Sequence, residues 1–157
     1  MKKIIILLIT LTICVFSMSS CKKTIKGCMD AKSISYNKDA NEDNGLCQYA
    51  GTGGNVTMVV FPQHHTLPII NRTVYCDTIY IKFNTQDFPG TNPNSYDTHI
   101  TGYVGEDHVH CVGFNPGYYY LYAVGFDSTI NARVSGGIPV SFTDSSGEKV
   151  FYVPVTE

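Results

Sequence analysis

His108-Val109-His110 is the densest local arrangement of ligating side chains in the sequence. On a strand, residues two apart point to one face and sit about 6 to 7 Å apart. Two imidazoles so placed can share one metal ion, as zinc and copper sites require. His64 and His65, in a loop after the first expected strand, can complete the set, and His99 lies on a neighbouring expected strand. The competing reading is a group of exposed histidines on a sheet face, because no conventional ligand spacing links the two groups. A copper site of the cupredoxin kind is disfavoured. Cys111 points opposite to His108 and His110, and Met58 belongs to a different strand and reads as core.

A second candidate is the acidic run Asn37, Asp39, Asn41, Asp43, followed by Gly45. Alternating oxygen side chains around a glycine turn can wrap Ca²⁺, although no bidentate Glu stands at the EF-hand distance. The alternative is a hydrophilic turn cluster. Glu106-Asp107 read as a solvated hairpin tip. Catalytic signatures are missing from the sequence: there is no Gly-x-Ser-x-Gly elbow, no His-Glu-x-x-His and no phosphate-cradling glycine loop. The expectation is a non-enzymatic chain without an obligatory cofactor, with Ca²⁺ or Zn²⁺/Cu²⁺ as the ions its side chains would take.

The N-terminus sets the address. Met1-Lys2-Lys3 is a short positive region, Ile4 to Phe16 is an apolar run broken by Thr10 and Thr12, and Ser17-Met18-Ser19-Ser20-Cys21 closes it. A run this short suits a signal segment better than a membrane span, which needs roughly 20 apolar residues. The small-small-Cys ending resembles the lipobox of bacterial lipoproteins, with Met18 where Leu is usual. That resemblance implies that residues 1–20 are removed and that Cys21 is acylated and anchors the chain in a membrane. Cleavage leaves nine basic against thirteen acidic side chains, a net charge of −4. Nothing basic enough for nucleic acid or for anionic lipid remains. The Lys22-Lys23 start lacks the acidic residues of a surface-export signal. The expected location is therefore the periplasmic face of the outer membrane.

After a tether over 21–26 comes a segment over 27–49 that contains Gly27-Cys28-Met29-Asp30, Tyr36-Asn37-Lys38-Asp39-Ala40, Asp43-Asn44-Gly45-Leu46-Cys47 and Tyr49. It resembles a Cys-bounded motif of exported proteins in Bacteroidetes-type bacteria. An oxidising compartment permits disulfides. With Cys14 lost and Cys21 acylated, four cysteines allow three pairings. Proximity and the motif favour Cys28 with Cys47, which leaves Cys76 with Cys111. For that second pair, two buried free thiols or a reactive thiol are the alternatives. A segment this short cannot build a core, so the disulfide is expected to organise it, with Tyr36 and Tyr49 packed over the bridge.

These candidates must be positioned by strands. Residues 50–54 read as a flexible Gly-rich linker. From 55 to 157, apolar alternation with period two predicts strands near 55–61, 78–84, 98–104, 108–114, 118–126, 138–143 and 149–155. Turn residues separate them, including Asn115-Pro116-Gly117 and Ser135-Gly136-Gly137. About seven short strands indicate an all-β chain, a β-sandwich of two facing sheets. Pro116-Gly117-Tyr118-Tyr119 followed by Gly136-Gly137-Ile138-Pro139-Val140 resembles transthyretin-like, carboxypeptidase-regulatory-like sandwiches, with an immunoglobulin-like topology as the alternative. That resemblance implies an accessory, binding or packing module.

Two long loops, 62–75 and 85–97, are the expected functional ground. A Tyr118, Tyr120, Tyr122 stripe either stacks on a sugar or partner protein or covers its own sheet. The expected function is a membrane-tethered, non-catalytic binding or assembly module meeting an envelope protein or polysaccharide. Metal binding at the His-x-His pair is the alternative.

Overall fold

The computed structural model describes residues 22–157; the expected leader and Cys21 lie outside them. Among the described residues ten strands form, in chain order: β1 (Lys26–Gly27), β2 (Glu42–Asp43), β3 (Thr52–His64), β4 (Leu67–Pro68), β5 (Thr78–Phe83), β6 (Thr98–Thr101), β7 (Val109–Phe114), β8 (Gly117–Asp127), β9 (Ala132–Phe142) and β10 (Ser146–Val155). The only helical element among the described residues is a 3₁₀ turn at Pro93–Ser95. The protein is all-β, and its seven long strands are the seven expected from the alternation.

They divide into two facing sheets. One has the order β10-β3-β7, with β4 folded back on the end of β3; the other has the order β6-β5-β8-β9. β3 lies parallel to β10 and antiparallel to β7. The immunoglobulin partition places the first strand with the second, fourth and fifth. Here the first long strand shares its sheet with the fourth and seventh, so the immunoglobulin alternative is overturned.

Period-two alternation sends one face of each strand inward. Val56, Met58 and Val60 of β3, Val109 and Cys111 of β7, and Val153 and Val155 of β10 meet Ile79 and Ile81 of β5 and Tyr119, Leu121 and Ala123 of β8. Burying each large aliphatic side chain contributes about 1.5 to 3 kcal/mol. Tyr119 is fully buried, and its hydroxyl accepts from Gly51 N–H at 3.1 Å while bonding the Asn115 carbonyl.

Three expectations are corrected. The 50–54 segment is not a free linker. β3 already begins at Thr52, Ala50 is buried, and Asn84 Oδ1 accepts from Ala50 N–H at 2.8 Å. Ser135-Gly136-Gly137 is not a break but part of β9. A Cβ at Gly136 would lie 2.1 Å from the Pro154 carbonyl oxygen, and one at Gly137 would lie 2.6 Å from the Tyr120 ring. The glycines let β9 continue where other chain crowds it. Finally, Cys76 and Cys111 are free thiols rather than a disulfide. Cys111 lies in the core with Met58 beside it, whereas Cys76 shares the outward parity of Thr78 and Tyr80, so the two sulfurs face opposite sides of a sheet.

The Cys28–Cys47 bridge does form, with a Cα–Cα distance of 5.0 Å. Within this stapled segment β1 and β2 pair in parallel. Buried Ser33 is its polar hub; its hydroxyl donates to Gln48 O and accepts from Gln48 N–H, both at 2.9 Å. Tyr36 and Tyr49 remain at the segment's surface. Both are exposed, and Tyr49 donates to Asp30 Oδ2 at 2.8 Å.

Candidate functional site

β3 spans thirteen residues, about 40 Å at the usual strand rise. Its start lies beside the stapled segment, and its end at His64 lies with the loops 65–77, 102–108 and 128–131. The stapled segment and this loop cluster therefore occupy opposite ends of the sandwich. We call the loop end the distal tip.

The tip exposes apolar side chains in concentration. Leu67, Ile70, Val74, Tyr103, Val104 and Ile130 are each 45% or more exposed. Ile70, Val74, Tyr75, Val104 and Phe126 border an open groove of about 530 Å³. Tyr75 stacks on Phe126 at 4.4 Å between centroids, which gives the groove an aromatic wall. His65 and Thr66 turn β3 into β4, both with positive φ, as a type I′ hairpin requires. A β-branched residue in that region is strained by about 1 to 3 kcal/mol.

Asn71 holds the tip together. It is 1% exposed. Its Nδ2 donates to Glu106 O at 3.0 Å and to His108 O at 3.3 Å, its backbone N–H donates to Glu106 O at 2.8 Å, and its Oδ1 accepts from Asp77 N–H. One side chain thus joins both apolar loops to the start of β5. Beneath it lies Asp77, fully buried, with neither carboxyl oxygen hydrogen-bonded. Its carboxyl lies against the backbone of Gly125; a Cβ there would sit 2.2 Å from Asp77 Oδ1. Burial pushes its pKa up to about 7.

The histidines separate into three environments. His108 and His110 converge, with their Nε2 atoms 2.9 Å apart, and Asp107 Oδ1 lies 2.8 Å from His108 Nδ1. A Glu106 carboxylate oxygen joins them, the three ligand atoms lying within 4.8 Å of one another. His64 and His65 do not complete this set. Both ring nitrogens of buried His64 are taken, Nδ1 by Asp127 Oδ2 at 2.8 Å and Nε2 by Glu157 Oε2 at 3.0 Å. Both nitrogens face acceptors only, which suits the doubly protonated ring. The bond to Asp127 is the main cause of a raised His64 pKa, opposed by burial and helped by Glu157. Asp127 is lowered to about 2, first by its bond from the Thr129 hydroxyl. His99 stands on the other sheet, against Tyr80.

Three members of the expected calcium set accept backbone hydrogen bonds, two of them in local turns and one across the segment. Asn37 Oδ1 accepts from Asp39 N–H, Asn41 Oδ1 from Ile25 N–H, and Asp43 Oδ1 from Gly45 N–H. Asn37 and Asp43 thereby form Asx turns, the local bonding expected of a hydrophilic turn cluster.

The tyrosine stripe is covered rather than offered. Tyr120 and Tyr122 are buried. Phe88 lies 5.5 Å from Tyr120, and Tyr96 stacks on Tyr122 at 5.7 Å. Asp97 closes the cover by accepting from Phe83 N–H at 2.7 Å and Lys82 Nζ at 3.0 Å. The 85–97 loop is therefore a lid on its own sheet, and of the two expected functional loops only 62–75 reaches the tip.

Glu106, Asn71 and Asp77 were missed in sequence. For Glu106 a signal was present: it precedes His108 by two residues and so shares the parity of His108 and His110. For Asn71 and Asp77 nothing local marks a residue whose partners lie on other strands. No family model, curated protein or solved structure matches the chain.

Proposed function

We propose that this chain is a lipid-anchored, non-catalytic binding module of the cell envelope, and that the distal tip is its contact surface. The observation that carries the reading is the apolar groove among Ile70, Val74, Tyr75, Val104 and Phe126. It lies at the end of the sandwich remote from the stapled segment. A lipid on Cys21 would place the stapled segment next to the membrane and hold the tip about one strand length, roughly 40 Å, further out. Concentrated exposed apolar side chains mark contact surfaces. A buried hydrogen-bonding hub under the groove keeps its walls in register before a partner arrives, which lowers the ordering cost of association.

The partner is an envelope protein that inserts an apolar or aromatic side chain between the two loops. Arg72 beside the groove offers that partner a carboxylate contact. The sandwich is read as transthyretin-like, which agrees with an accessory rather than a catalytic role. The address is the periplasmic face of the outer membrane. No helix among the described residues is long and apolar enough to cross a membrane.

The test uses a photo-crosslinking amino acid at position 104 in intact cells. A discrete protein adduct is expected there, absent with the probe at exposed Val112 on the outer sheet face, and lost in a Val74→Asp variant. Equal labelling at 104 and 112, or adducts to lipid alone, would refute tip recognition. Cys21→Ala tests the anchor separately, and full retention in the membrane fraction would reject it.

A further inference from the structure

We propose that Glu106, His108 and His110 form a divalent transition-metal site, with zinc the ion their donor set fits best. The site is independent of the groove reading.

The geometry is that of a site drawn around one point. His108 and His110 share one face at the start of β7, and their Nε2 atoms lie 2.9 Å apart. Two imidazole nitrogens can meet this closely only if one carries a proton and the other a lone pair. Asp107 decides which. Its carboxylate accepts from His108 Nδ1 at 2.8 Å, which keeps the proton on Nδ1 and turns the Nε2 lone pair of His108 toward His110. A carboxylate behind a histidine is the usual outer support of a metal ligand.

Glu106 supplies a third donor within 4.8 Å of both rings. Its Oε2 is buried without any hydrogen-bond partner. A buried carboxylate oxygen left unpaired is costly, and a cation between it and the two rings would satisfy it. Donors at 2.0 to 2.2 Å in a tetrahedron stand about 3.3 Å apart. The imidazole pair therefore needs to open by about 0.4 Å, and the His110 proton must move from Nε2 to Nδ1. His110 is only partly buried, so its Nδ1 can take that proton.

The backbone is held in advance. Asn71 fixes the carbonyls of Glu106 and His108, Val59 pairs with His110, and the Phe61 ring lies 5.0 Å from that of His108. Two imidazoles and one carboxylate suit zinc and disfavour Ca²⁺ and Mg²⁺, which want oxygen donors throughout. Three protein ligands at a partly exposed site leave the fourth position of a tetrahedron to water or to a donor from outside the chain.

The test is calorimetric titration of the full, metal-stripped chain in detergent with Zn²⁺. One ion per chain is expected, with micromolar or tighter affinity and a rise in Tm. His108→Ala and His110→Ala should each weaken binding by at least 100-fold, and Asp107→Asn by 10- to 100-fold. His99→Ala and Cys76→Ser should leave it unchanged. Histidine NMR should report shifts at His108 and His110 and not at His64. Far-UV circular dichroism should show every variant folded. No saturable binding, equal affinity in His110→Ala, or binding abolished by Cys76→Ser would overturn the site.

Discussion

Replacing Asp77 by Asn should make the protein more stable in alkaline solution while changing it little in acid. Asp77 is fully buried with no partner for either oxygen, and burial raises its pKa from 3.8 to about 7. In the unfolded chain the acid ionises near pH 4; in the folded chain it holds its proton until about pH 7. Between those values the folded state binds the extra proton, so this group costs stability as pH rises, and the cost levels off above the folded pKa. Three pKa units correspond to about 4 kcal/mol in full, of which about 3 kcal/mol falls between pH 5 and pH 9. Asn has the same shape and does not ionise. At pH 5 the two proteins should agree within about 1 kcal/mol, the usual cost of altering one buried polar group. At pH 9 the variant should lead by about 2 to 3 kcal/mol, on the order of 10 °C in Tm for a domain of this size. Urea denaturation followed by far-UV circular dichroism measures the difference directly. His64 also loses stabilisation as pH rises, but it does so in both proteins and cancels in the comparison. Parallel profiles from pH 5 to pH 9 would refute the buried, unpaired acid.

Asn71→Ala removes the side-chain bonds to Glu106, His108 and Asp77 and keeps the backbone bond to Glu106. It should cost about 2 to 3 kcal/mol, and hydrogen exchange should accelerate selectively in residues 69–77 and 102–108. The raised His64 pKa stabilises the fold below its unfolded value near 6.5, and that contribution disappears as pH climbs through the folded value. Asp127→Asn should bring the His64 titration, followed by NMR, down toward 6.5. Iodoacetamide should label Cys76 in the native protein and Cys111 only on unfolding, because burial removes access and pushes the Cys111 thiol up to about 12; mass spectrometry reads both.

The seven strands were legible because period-two alternation is a local signal: Ile79 and Ile81 announce their face without reference to anything distant. The Cys28–Cys47 bridge was legible for the same reason, since its loop is short and its motif contiguous. His108 and His110 were found because two residues on one strand must share a side.

Sequence alone therefore indicated the fold class, the staple and the convergence of His108 with His110, all features whose partners lie within a few residues or follow from strand parity. Only the tertiary structure decided that Cys76 and Cys111 face apart and that the 85–97 loop covers Tyr120 and Tyr122. It also decided that His64 belongs to Asp127 and Glu157. Each of those depends on which strands become neighbours and in what register, and sheet pairing is a long-range choice that alternation leaves open.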